Sequence, residues 1–106
     1  LVLKCYKNER WRDRAFENQL LGWRHGLGPE PWGRRNLIDT EWCFAYISRR
    51  AASSTGTHIS ALNELGRRMK AAGFSDNDLC HSNAGMIYGR LVCVDFDPLS
   101  VNRGNH

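Results

Sequence analysis

The sequence predicts an α+β fold: a small antiparallel sheet, two main helices and a C-terminal β-hairpin, in one domain spanning 1–106. Three observations carry that expectation. Short apolar, β-rich runs open the chain, recur at its middle and return near its end. Two longer segments repeat apolar residues at helical spacing. Clusters of glycine, proline and small polar residues separate these segments.

Leu1 to Tyr6 is apolar apart from Lys4 and reads as a strand. From about Trp11 to His25 the pattern is helical, with Trp11, Ala15 or Phe16, Leu20 and Trp23 as the expected apolar face. Gly26 and Gly28 stop that helix, and Pro29 and Pro31 prevent its resumption. Pro31 to Ile38 is loop or short strand. Trp42 to Ile47 is a stronger strand, with so little alternation that burial on both faces is expected. Ala51 to Thr57 is a small, polar connector with helix-cap candidates at Ser54, Thr55 and Thr57. From His58 to Ala72 the chain is helical again, with a stripe of Ile59, Leu62, Leu65 and Met69 and a stop at Gly73. A polar stretch runs to Asn83. Met86-Ile87-Tyr88 and Leu91-Val92-Cys93-Val94 then flank Gly89-Arg90 as a hairpin, and a polar tail runs from Pro98 to His106.

The four tryptophans lie in the first half, where they are expected to anchor packing. A net charge of +4 and a pI near 9.1 permit an acidic partner without requiring one. The arginine pairs 34–35, 49–50 and 67–68 read first as solvated basic surface, so nucleic-acid binding is possible but not the favoured reading. Cys5, Cys43, Cys80 and Cys93 lack zinc-knuckle spacing and suit reduced thiols. No apolar run is long enough to span a membrane, and a cytoplasmic location is expected.

The chemistry concentrates late in the chain. Asp78 is followed five residues later by Asn83, in a polar loop that enters the hairpin, and Asp95 ends the return strand. Closing the hairpin brings its outer ends together, which places Asn83 beside Asp95. A carboxylate with an amide oxygen is a hard-oxygen pair suited to magnesium, whose other ligands are commonly water and phosphate oxygens. Asp78 is placed to orient or deprotonate an attacking hydroxyl. The plain alternative is that Asp78 and Asn83 only form turns.

These residues resemble the protein kinase and aminoglycoside-kinase-like superfamily. Asp78-Leu79-Cys80-His81-Ser82-Asn83 is similar to its catalytic loop, and Val94-Asp95-Phe96 to the start of its metal motif. The run Gly89-Arg90-Leu91-Val92-Cys93-Val94-Asp95-Phe96 looks closest to small bacteriophage and bacterial kinase-like proteins. The resemblance implies that Lys4 binds nucleotide phosphates, that Glu17 on the next helix is its ion-pair partner, and that Phe44-Ala45-Tyr46-Ile47 approaches an interlobe hinge. It further implies ATP and Mg2+ as cofactors, a location in host cytoplasm if phage-encoded, and phosphotransfer as the activity. For Lys4 the alternative is a guard on an edge strand. For Glu17 it is an ordinary solvated position.

The chain also departs from the family. Asp97-Pro98 stands where the metal motif has glycine, and Cys80 stands where a histidine is usual, with His81 shifted by one. The sequence opens inside the lysine strand, so a glycine-rich hairpin upstream is an expectation. A second function class follows from these departures: a non-catalytic, phage-type interaction protein on a degenerate kinase scaffold, binding and inhibiting a host enzyme or defence complex.

Overall fold

A computed structural model of the chain describes residues 1–53, 58–74 and 83–96. The architecture is α+β, with two helices and two small antiparallel sheets. Strand β1 (Val2–Tyr6) leads into α1 (Glu9–Arg24), then β2 (Pro31–Asn36) and β3 (Phe44–Ser48). These strands form one sheet in the order β1-β3-β2. Its register runs from Val2 opposite Ser48 to Tyr6 opposite Phe44, with an irregularity between Pro31 and Gly33 on the other edge. A short β4 (Ala52–Ser53), α2 (Ile59–Ala71), β5 (Ala84–Ile87) and β6 (Arg90–Cys93) follow. The second sheet has the order β4-β5-β6, with Ala52 opposite Met86 and Ala84 opposite Cys93.

Helix α1 starts earlier than its apolar pattern suggests because Asn8 caps it. The Asn8 side chain accepts from the backbone N–H of Arg10 at 2.8 Å and of Trp11 at 3.2 Å. Its buried face matches the expected one only at Ala15. Arg12, Ala15, Asn18, Gln19 and Gly22 face inward, while Trp11 and Trp23 are 40% and 41% exposed. Trp32 and Trp42 are exposed too, so the tryptophans do not anchor this half. Polar groups hold the helix down instead. The buried Arg12 guanidinium donates to the carbonyls of Arg35 (3.0 Å) and Ala45 (3.1 Å), fastening α1 to β2 and β3.

Helix α2 follows its pattern more closely. Leu62, Leu65 and Met69 are buried, Ile59 is exposed, and Gly73 takes a left-handed φ of +101° past its end. His58 precedes it without a side-chain cap, and the cap candidates Ser54, Thr55 and Thr57 lie outside the described residues. The hairpin turn is Tyr88-Gly89, one residue earlier than expected, with φ of +50° and +76°. In β3, Ala45, Tyr46 and Ser48 are buried while Phe44 and Ile47 are only partly so.

Leu27, Leu65, Met69, Phe74, Cys93 and Phe96 form one apolar cluster. Phe96 is its keystone. Its ring lies 5.3 Å from that of Phe74 and fills space that only glycine leaves open at positions 22 and 28. The Cys93 N–H donates to the Leu27 carbonyl at 2.8 Å, tying β6 to the loop after α1. This packing fixes where the chain emerges at Asp95.

Candidate functional site

Lys4 sits on edge strand β1 opposite Tyr46, half-buried. Its ammonium donates to Gln19 Oε1 at 3.0 Å and to the Val94 carbonyl. It lies 5.8 Å from the centre of the Tyr46 ring. The long stem thus turns inward from the sheet edge and reaches the segment that follows β6. Burial lowers the Lys4 pKa from its ordinary 10.5, while the nearby Asp95 charge, and then Cys93, oppose that shift.

Gln19 is fully buried and holds the lysine from the helix side. Its Oε1 accepts from Lys4 and from the Tyr46 hydroxyl at 2.7 Å. Its Nε2 donates to the Pro29 carbonyl at 3.0 Å and to Ser48 Oγ at 2.6 Å. Every hydrogen-bonding position of the amide is filled, which fixes its orientation. The Ser48 hydroxyl in turn donates to the Arg49 carbonyl at 3.1 Å. Glu17, expected beside Lys4, lies on the exposed side of α1; the helix side chain bonded to Lys4 is Gln19.

On the hairpin side, Val94 N donates to the Asn83 carbonyl at 2.9 Å. The backbone therefore sets Asn83 across from Val94, one residue from Asp95. Asp95 is exposed, although both flanking residues are held: Val94 by this bond and Phe96 by the core. The Cys93 thiol donates to the Asp95 carbonyl at 3.4 Å. Burial pushes the Cys93 pKa up to about 11. Asp78 and its neighbours Cys80 and His81 lie outside the described residues, as do Asp97 and Pro98.

A cleft of about 470 Å3 opens beside Lys4. Val2 and Lys4 form one wall, Ala84, Gly85 and Val94 another, and the linker 48–53 a third. Its charged lining residues are all cationic: Lys4, Arg49 and Arg50. Gly85 lets the linker approach, since a Cβ there would lie 2.7 Å from that of Ala51. Its volume is that of a small-ligand pocket.

Among the described residues, no group of three His, Cys, Asp or Glu side chains can hold a metal ion. Asn83 and Asp95 are brought near each other by the backbone bond between Asn83 and Val94.

Sequence reasoning missed Gln19 and the cleft. One signal for Gln19 was present: it lies four residues from Ala15 and three from Gly22, on a face of small residues that lets a helix pack closely. The cleft depends on the linker folding over Gly85, which no local pattern encodes. No helix among the described residues is long and apolar enough to cross a membrane. Comparison with protein-family models, curated proteins and solved structures finds no match to this chain.

Proposed function

We propose that this chain binds a nucleotide through its phosphates, with magnesium, in the cleft beside Lys4, as a kinase-like site able to support phosphate transfer. One observation carries the reading. A half-buried ammonium sits at the wall of a cation-lined cleft, hydrogen-bonded to the residue that precedes an exposed aspartate. The order of elements supports it: lysine strand, helix, three strands of which the last is short, helix, then the hairpin that ends at Cys93, two residues before Asp95. In this reading Lys4 pairs with phosphate oxygens, and Asn83 and Asp95 hold the magnesium, which neutralises phosphate charge. Asp78 orients the acceptor hydroxyl, as the resemblance implies. Gln19 takes the structural place assigned to Glu17 and holds Lys4 without adding a negative charge.

Isothermal titration with ATP and magnesium tests the reading. Heat of binding is expected for the unaltered chain and is expected to be lost in Lys4→Met and Asp95→Asn variants that remain folded. No heat from the unaltered chain overturns it.

Exposed apolar side chains favour a second reading, the non-catalytic inhibitor of a host enzyme or defence complex. Leu3, Trp11, Trp32, Ile38 and Trp42 are all solvent-exposed, three of them tryptophans, a residue type enriched at protein interfaces. A stoichiometric complex with one host protein, formed without nucleotide and lost on Trp32→Ala, supports this reading. A chain that binds nucleotide and stays monomeric in host lysate counts against it.

A further inference from the structure

A second cavity, of about 370 Å3, adjoins the Lys4 cleft at Arg49, which lines both, and Trp23, Tyr88 and Arg90 also contribute to its lining. Three features set it apart from ordinary surface. First, its aromatic residues are open to solvent: Trp23 is 41% and Tyr88 86% exposed. Second, Tyr88 adopts a left-handed φ of +50° at the hairpin turn, where Asn-Gly is the favoured pair. A bulky residue in that conformation is strained, and its exposed ring gains no core packing in return. Third, Arg49 lies over the Tyr88 ring, 4.4 Å from its centre, and donates to its hydroxyl at 2.6 Å. Among the described residues, neither Arg49 nor Arg90 has a carboxylate within ion-pair distance. Glu30 also lines the cavity and leaves the local balance cationic.

Exposed aromatic faces supply stacking surfaces, and guanidinium groups supply forked donors for phosphate. The cavity is at the small end of ligand pockets, with room for one planar ring and its phosphate. We infer that this cavity binds a single nucleoside phosphate unit, stacked against Tyr88 or Trp23 with its phosphate on Arg90 and Arg49. The unit is either a free mononucleotide or one residue of a single-stranded nucleic acid. The residues come from α1, the linker and the hairpin, so no stripe of alternating basic and aromatic residues shows in the sequence.

Fluorescence anisotropy of a short labelled oligothymidylate, titrated with the full chain, tests this. Binding is expected, and is expected to weaken as salt rises. Tyr88→Asn should weaken it at least about fivefold, the lower end of what one stacked base contributes, and Arg90→Ala should weaken it and flatten its salt dependence. Arg67→Ala, which removes a cation on α2 outside both cavities, should leave it unchanged. Tyr88→Asn should also melt at the same temperature as the unaltered chain or higher, since it relieves the strained turn; a merely structural tyrosine would lower it. Competition by free thymidine monophosphate identifies a mononucleotide as sufficient, whereas binding of the oligomer alone identifies the single strand. The inference is overturned if neither probe binds, if binding is indifferent to both substitutions, or if an acidic peptide displaces the oligomer equally well.

Discussion

The Gln19 amide is saturated by groups from β1, β3 and the loop before β2, so its removal orphans several buried partners together. Orphaned buried polar groups cost about 1–3 kcal/mol each. Gln19→Leu is therefore expected to lower unfolding stability by about 3 kcal/mol in a denaturant titration, well above an exposed-site control such as Glu17→Ala. Lys4 gives a pH signature. Its folded pKa is lowered from 10.5 by burial, so the unfolded chain binds its proton more tightly. The resulting penalty is full below the folded value, shrinks as pH rises through the window up to 10.5, and is gone above it. Measured against Lys4→Met, the unaltered chain should gain stability as pH rises through that window; a gap moving the other way contradicts the lowered pKa. Cys93, pushed up to about 11 by burial, stays a protonated thiol at neutral pH. In native-state alkylation resolved by mass spectrometry, Cys5 and Cys43, both partly exposed, should label well before Cys93.

At the scale of elements, Phe96 joins the end of the hairpin to α1 and to the Leu27–Pro29 loop, while Phe74 brings in the end of α2. Phe96→Ala is expected to cost about 3–5 kcal/mol, as for other large core aromatics. A chemical melt reads that loss directly. Nucleotide affinity should fall as well, because Asp95 loses its anchored neighbour. The sequence conveyed these elements unevenly. Helix α2 was legible because Leu62, Leu65 and Met69 make a pure apolar stripe. In α1 the two tryptophans are exposed and the fully buried face is small or polar, so hydrophobic periodicity identified a helix and Ala15 but misplaced the rest of its face. The hairpin was legible from its apolar runs, while its turn slipped by one because a tyrosine occupies a position that glycine or asparagine usually takes.

Across the whole molecule, the proposed cleft assembles from β1, the linker and the hairpin, whose described residues span nearly the full sequence. That explains what could be read beforehand. Lys4 was singled out through the kinase resemblance and does line the cleft, whereas Gln19 and the 48–53 segment matter only through tertiary contact. Binding linkage provides a global check: at a hundredfold excess over its Kd, ATP with magnesium should raise unfolding stability by about 2.7 kcal/mol. Thermal melts should show the shift in the unaltered chain and lose it in Asp95→Asn. The exposed aspartate beside the submerged Phe96 ring has one more consequence. The backbone that carries it is pinned by a buried ring one residue on. A single methyl group on α1, introduced by Gly22→Ala, would meet that ring and so shift the backbone that carries Asp95.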